Sequence, residues 1–542
     1  MLGAIISLLL TLLLGFGEFY FILPAINIHS SQFWIFAVFQ LGIFTLLFTI
    51  FNYRKIVRKN YKNPYKSALT ALGAIAALMI LLLILGNIFS GSIFHAKKYS
   101  SRIAVESGDF NADVPVLSDI RKIPLMDTAS AKKLGNRTIG SLKNLVSQYD
   151  VSNTYNTICY NGEVMKIAPL EYAGFFKYNS NKKSGIPGYV LVNPTTNEAE
   201  YIKLDKGIKY SPSGYFSGSL MRKIRMDYPT KLVNSYNFQI DDEGNPYWIV
   251  TCESASLFLG CYSPREVIIL DAVTGESNIY NIDKTPEWID MVYDGDTVET
   301  LYNSYGLLTG GFFNSLFSQK GCTQTTDDFG YVIKDDDVYI YTGITSTVSD
   351  KSNLGFIIVN SRTGEYKYYE CAGAEEYSAM SAAEGVVQNF GYKSSFPALI
   401  NIGGEPAYAM VLKDSNGLVK MYAMVNVKNY TIVATGDTLS QTLANYQAAL
   451  SSAGKKIDIQ NISTDMEEAQ ITIADIQFIA VEGNTTCYIK DENGNCYKQE
   501  FAENEGLILL NKGDTITINY TKPEDDDEIP VISSINKTLK NG

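Results

Sequence analysis

Histidine is almost missing from this chain, and its scarcity removes whole classes of chemistry. The 542 residues hold two, His29 and His95, and none lies beyond residue 95. A Ser-His-Asp or Cys-His nucleophile system within the remaining bulk of the chain is therefore excluded. So is a His-rich zinc site of the metalloprotease type. Cysteine is sparse as well, with seven residues and no two closer than nine positions. Zinc ligation through close cysteine pairs is excluded by that spacing, and the odd, scattered set does not resemble a dense disulfide framework. Cys252 with Cys261 and Cys487 with Cys496 are the two local pairings the spacing allows. In the second, a two-residue turn at Asn493 and Gly494 would set Asp491 opposite Cys496, so the thiols would not face. Obligatory disulfides are not expected, and nothing in the sequence assigns a cofactor. Positive charge is short too: 45 Lys and Arg stand against 57 Asp and Glu, a net charge of −12. Nucleic acid demands a basic footprint and is set aside.

Charge is also missing from three long runs, residues 2–23, 33–51 and 68–89, which carry only Glu18. Each approaches the roughly 20 residues a helix needs to cross a bilayer. The connector 52–66 holds Arg54, Lys55, Arg58, Lys59, Lys62 and Lys66, whereas 24–32 holds no charge. The positive-inside rule then makes the N-terminus and the 52–66 loop cytoplasmic and residues 91–542 extracytoplasmic. Without the basic loop and Glu18, the chain carries 39 basic and 56 acidic residues, a net −17 suited to a soluble outer surface. Glu18 is the candidate intramembrane polar residue. Thr70, Gly73, Ala74 and Ala77 allow close helix approach in the third run, and the expectation is that they pack this chain's own helices.

Beyond the anchor the sequence repeats. VNPTTNE at 192–198, LDAVTGE at 270–276 and VNSRTGE at 359–365 share an apolar residue, Asn or Asp, two variable positions, Thr, Asn or Gly, and Glu. A weaker copy lies at 425–430. Each follows an apolar strand and precedes a Tyr-containing one, so each reads as a hairpin turn whose Asn or Gly supplies a left-handed residue. Candidate helices at 138–149, 215–226, 297–319 in pieces and 376–389 precede them, giving one helix and about four antiparallel strands per unit. These units resemble the PepSY family of small extracytoplasmic modules, with the turn Asp271, Ala272, Val273, Thr274, Gly275, Glu276 carrying the likeness. That resemblance implies interaction with, or restraint of, an extracytoplasmic enzyme. The fold class expected is a membrane anchor of three α-helices plus an α+β ectodomain of repeated helix-plus-antiparallel-sheet units and a C-terminal small β-barrel. The boundaries are 1–90 for the anchor, 91–137 for a stalk, 138–436 for four repeats, 437–469 for a helical linker and 470–542 for the barrel. Barrel strands at 471–481, 496–501, 507–510, 515–520 and 529–535 look similar to an OB or SH3-like fold.

Acidic clusters suggest calcium only superficially. The string 109–113 starts like an EF-hand loop, but Val114 stands where Gly is required and Ile120 where Glu should be. The segment 215–231 presents Arg222, Lys223, Arg225 and Lys231, a basic exception in an acidic domain and the candidate contact for lipid or a partner. Phe312, Phe313, Leu316 and Phe317 are expected in the core. With 37 Tyr and 26 Phe, half-exposed strands have ample surface for sugars, peptides or proteins. The reading is a membrane-anchored extracytoplasmic scaffold or binding protein of the cell envelope, its partner an envelope protein or wall polymer, with no catalytic residue assigned. Two alternatives stand beside it. One is a glycan hydrolase using carboxylates alone, such as Glu375, Glu376, Glu384 or Asp290, none of which spacing singles out. The other is a subunit of a membrane transport or secretion complex with Glu18 between spans.

Overall fold

The computed structural model describes residues 2–58, 63–326, 328–347, 352–455, 462, 466–481, 484–501, 504–521 and 529–537. Lys59, Lys62 and the acidic run 524–528 lie outside them. Three helices come first, α1 (Leu2–Ile22), α2 (Ser31–Ile56) and α3 (Pro64–Phe89), each long and apolar enough to cross a membrane. Pro64 opens α3, and the Asn63 side chain accepts the Tyr65 N–H, so α3 starts sharply after the basic connector. Close helix approach falls elsewhere than expected. A Cβ on Gly73 would meet nothing, whereas one on Gly3 would sit 2.7 Å from Asn52 Oδ1 and one on Gly15 2.7 Å from Gln40 Oε1. Gln40 of α2 hydrogen-bonds Glu18 of α1, and the two glycines leave room for the Asn52 and Gln40 side chains.

The chain then builds four sheets in sequence order, over residues 149–208, 232–281, 323–374 and 393–436. Pairing within them is antiparallel, except that Val105–Ser107 joins the third sheet in parallel beside Tyr366–Tyr368. By contact the molecule divides into one body of Met1–Ser107, Thr128–Asp350 and Leu354–Glu370, and another of Gly108–Asp127, Lys351–Asn353 and Cys371–Gly542. Helices Leu220–Asp227, Gly295–Leu308 and Glu376–Val386 precede the second, third and fourth sheets. The first helix runs Thr128–Gly140, not 138–149, and Tyr149 already belongs to a strand. Its buried stripe, Ala131, Gly135 and Ile139, contains a glycine that looks like a breaker in sequence. In the fold it is a contact, since a Cβ there would collide with the Tyr155 hydroxyl at 2.1 Å.

The recurring turn has one construction. The side-chain oxygen of Asn193 accepts the N–H groups of Thr195 and Thr196, that of Asp271 those of Val273 and Thr274, and that of Asn360 those of Arg362 and Thr363. Asn197, Gly275 and Gly364 then take positive φ of 59°, 78° and 73°. An Asx turn followed by a left-handed residue is what Asn or Asp, two free positions and Asn or Gly supply. The residue after each Asp or Asn does something the sequence does not advertise. Ala272 O accepts Lys209 and Tyr210 N–H at 2.8 and 3.1 Å, Ser361 O accepts Val292 and Tyr293 at 2.9 and 2.8 Å, and Val427 O accepts Ala374 at 2.8 Å. In the second and third sheets the turn therefore receives the chain leaving the previous sheet.

Residues 91–137, expected as a stalk that wraps the domain, hold ordered elements. Helix α4 (Ser92–Ser100) and the strand Val105–Ser107 come first, and Ile120, Ile123 and Leu125 enter the core of the fourth sheet. Helix Leu439–Ser452 is likewise part of that core through Leu443, Tyr446 and Leu450, rather than a linker. The C-terminal strands close a five-stranded barrel, Met466–Val481, Asn484–Asp491, Cys496–Glu500, Val531–Lys537 and Thr515–Thr521 in spatial order. The expected strand at 507–510 is a 3-10 turn, Glu505–Leu509, that sends Leu507 and Leu510 into the barrel core. The 491–495 turn carries Gly494 at φ 91°, which shifts the register so that Lys490, not Asp491, faces Cys496. Cys487 faces Gln499, and all seven cysteines are free.

At Gly364 both strain and crowding oppose a side chain, since its Cβ would lie 2.4 Å from the Tyr293 ring. Gly391 has φ 65° but open space around it. Gly364→Ala is expected to cost about 2–3 kcal/mol and Gly391→Ala about 1 kcal/mol, measured by denaturant unfolding of the full chain in detergent.

Candidate functional site

The basic helix Leu220–Asp227 turns both arginines to backbone carbonyls, Arg225 buried and Arg222 half-buried. Arg225 is 5% exposed and donates from Nε to Leu23 O at 3.0 Å and from Nη1 to Lys231 O at 2.7 Å. Burial pulls its guanidinium below the usual value. Arg222 donates to Tyr20 O at 3.0 Å and to Phe216 O at 2.7 Å, with its guanidinium 4.3 Å from the Tyr20 ring centre. Tyr20 and Leu23 lie at the C-terminal end of α1, where a helix leaves carbonyls without intrahelical donors and carries partial negative charge. Spacing of i and i+3 puts both guanidiniums on one face of their helix. Lys223 pairs with Asp227 at 2.9 Å, and Lys231 pairs with Glu266. Glu18 meets Gln40 of α2 by a hydrogen bond inside the bundle.

The tip of the hairpin formed by Pro246–Leu257 and Gly260–Asp271 completes this joint. His29 Nδ1 lies 3.1 and 3.0 Å from the carbonyls of Leu257 and Phe258, and its own carbonyl accepts the Tyr262 hydroxyl at 2.8 Å. Phe258 packs edge-on against Trp34 at 5.7 Å and fills the space beside Gly86 of α3. The Leu259 N–H reaches Ser90 Oγ at 3.0 Å, and Ile26 N–H reaches Pro229 O at 2.7 Å. His29 thus holds a joint rather than performing chemistry. All three helices meet the second sheet at one end of the bundle, and the basic connector lies at the other.

An open cleft of about 670 Å³ runs between the first two sheets. Half-buried Tyr160 and Tyr247 line it above the buried Tyr189, with Asp205, Glu243 and Asp271 among its acids and Lys203 and Lys206 among its bases. The Tyr189 hydroxyl donates to Gly244 O at 3.0 Å, and Tyr247 packs on Trp288 at 5.0 Å, so two of the rings are held rigidly. Asp271 is occupied by its turn, which removes it as a catalytic carboxylate. The abundance of tyrosine does not mark this cleft in the sequence, because its walls come from strands some 50 residues apart in the chain.

Asp290 sits apart, 3% exposed, where the first three sheets converge. Its carboxylate accepts the Cys159 N–H at 2.8 Å, while its own N–H donates to Gln239 Oε1 at 2.9 Å and its carbonyl accepts Ser361 Oγ at 2.5 Å. Burial raises the carboxyl to about 8; the Cys159 N–H and Arg362 oppose the rise, and Asp337 and Asp242 add to it. Asp337 and Arg362 form an ion pair at 2.6 Å. Burial also pushes the Cys159 thiol to about 11 and Cys252 to about 12, values that make neither a nucleophile at neutral pH. Of the other carboxylates considered, Glu376 is buried, and Glu384 is held by Lys393 and Ser394 at 2.6 and 3.0 Å. Among the described residues no group of His, Cys, Asp and Glu is arranged to hold a metal ion.

No family model matches the chain, and no curated protein does. Among solved structures, two mutants of the Synechocystis apocarotenoid oxygenase align at 7% and 6% identity with TM-scores of 0.16 and 0.15. The alignments cover 74% and 72% of this chain and 67% and 65% of theirs, a likeness too slight to carry any argument.

An Asp that keeps its proton to about pH 8 when folded, against 3.8 as its ordinary value, makes a definite contribution to pH dependence. The unfolded chain releases that proton first, so the contribution is fully present below pH 3.8 and is lost as pH rises through 8. Asp290→Asn is expected to leave denaturant stability nearly unchanged near pH 4 and to raise it over the parent progressively towards pH 8.

Proposed function

We propose that this protein is a membrane-anchored scaffold or binding protein of the cell envelope, presenting repeated helix-plus-sheet units from a three-helix anchor. The observation that carries this reading is the joint at the end of α1. Arg222, Arg225 and the 257–260 hairpin tip fasten the second sheet to the spans, so the cleft beside that sheet is held at a fixed place above the bilayer. A flexible stalk suits an enzyme that searches; a fixed platform suits one that holds. With the basic connector on the cytoplasmic side, the joint, cleft and sheets lie outside, and the cleft receives an extended envelope protein or wall polymer along its tyrosines. The PepSY-like reading of the four sheets supports a restraining role. The barrel order, with Cys496–Glu500 beside Val531–Lys537 in parallel, favours the OB type over the SH3 type and adds a second binding module.

A photoreactive side chain in place of Lys206, with Ile279 as a control position, tests the reading in intact cells. Capture of one protein or one wall polymer at Lys206 and not at Ile279 is the expected result. Equal capture at both positions, or envelope-glycan cleavage by the purified full chain, would overturn it.

A further inference from the structure

Four aromatic rings that a soluble surface has no use for are gathered beside the end of α1. Phe176 is 81% exposed, and Phe175 packs on Phe176, Tyr215 and Phe216 at 5.6, 5.2 and 6.3 Å. Two hydrogen bonds connect this cluster to the membrane helix. Phe216 O accepts Arg222, and the same guanidinium donates to Tyr20 O in the last turn of α1. The patch is therefore about one side chain's reach from the residue where the first span ends.

A second patch follows helix Gly295–Leu308. Phe313, Leu316 and Phe317 are 63%, 56% and 76% exposed, with Phe313 and Phe317 stacked nearly parallel at 6.3 Å. The expectation that these residues are core fails, because Gly311 at φ 90° turns the chain out of the helix before them. The course of the helix says where they go. Val298 O is bonded by Tyr366, the strand partner of Val105, and one and a half turns later Ser304 is bonded by Arg102. The helix thus runs back along the chain toward α4 and the end of α3, where Ile93 and Phe94 are exposed and Phe94 packs on Phe89 at 5.3 Å.

We propose that the segments Phe175–Asn181 with Phe216, and Asn314–Ser318 with Phe313, dip into the bilayer interface on the ectodomain side, widening the anchor into a collar. The occupant of both patches is lipid at the boundary of headgroups and acyl chains. Continuity argues for it: Tyr20, Phe21, Phe33 and Trp34 mark that level on α1 and α2, and aromatic rings favour it. Lys182, Lys183 and Lys320 flank the patches, where ammonium groups can rise to headgroup phosphates while their stems stay among the acyl chains. A docked protein would not require both patches to lie at the level where the helices leave the membrane. Two separate loops at one level also fix the tilt of the first body, which a single contact cannot do.

The collar rests on α1 to α3 being spans, and the experiment separates the two. The full chain is reconstituted in nanodiscs of phosphatidylcholine, with or without bromine on the acyl chains, as the parent and as Phe176→Trp, Phe317→Trp and Ile279→Trp. Ile279 pairs with Ile268, eight residues from Gly260 at the hairpin tip, about 26 Å along a strand. The added emission at 176 and 317 is expected to fall by roughly half or more in brominated lipid, while that at 279 is unchanged. Native Trp34 reports insertion of the anchor in every sample. Quenching of Trp34 without quenching at either position 176 or position 317 overturns the collar and leaves the anchor standing. An unquenched Trp34 overturns both. Phe176 and Phe317 are largely exposed and Ile279 is 37% exposed, and matching unfolding midpoints confirm that each variant is folded.

Discussion

The last carbonyls of α1 point at two arginines, and much of the first body depends on that meeting. A span that ends at a membrane surface leaves polar backbone groups with no intrahelical partner. Water ordinarily serves them. Here Arg222 and Arg225 do so, from a helix some 200 residues away in the chain. Removing the Arg225 guanidinium from water is costly, and three carbonyls, of Leu23, Pro229 and Lys231, converge on it to offset that cost. That requirement fixes the distance and angle between α1 and the second sheet more tightly than apolar packing would. The hairpin tip then follows, with Phe258 beside Trp34 and Gly86 and with Leu259 bonded to Ser90.

From the second sheet outward, position is passed along by backbone. Within the first body, the turn residue after Asp271 and after Asn360 turns its carbonyl toward the chain leaving the preceding sheet, at Ala272 and Ser361. In the second and third sheets a tyrosine of that leaving chain, Tyr210 or Tyr293, covers the turn glycine so closely that no side chain would fit. The turn motif is therefore a connector as well as a reversal. This accounts for its recurrence where many hairpin turns would have reversed the strands equally well. Inside the first body, the converging sheets leave a buried polar centre at Asp290 and an open cleft lined by Tyr160, Tyr189 and Tyr247.

The features legible in the sequence are those set by short-range rules. Three uncharged runs become three helices, the Asn or Asp and Gly spacing becomes a turn, and alternating residues after 470 become a barrel. Features decided by distant partners were hidden. Leu507 to Leu510 reads as a strand, whereas the 3-10 turn there carries Leu507 and Leu510 into the barrel core. Arg222 and Arg225 were visible as a basic exception, but their partners are backbone oxygens, which no sequence pattern marks. The Phe312 to Phe317 run reads as core, since an apolar run has the same signature whether the fold buries it or leaves it exposed.

Anchor and second sheet form one body through the end of α1, and hydrogen exchange in nanodiscs reads that union amide by amide. The amides of Ile26, Leu259 and Cys261 donate to Pro229 O, Ser90 Oγ and Tyr99 Oη across that joint. They are expected to exchange as slowly as the core strands in the parent and to become fast together in Arg225→Met, while the third sheet keeps its protection. Fast exchange of these amides in the parent, in a chain whose sheets are otherwise protected, would contradict the account.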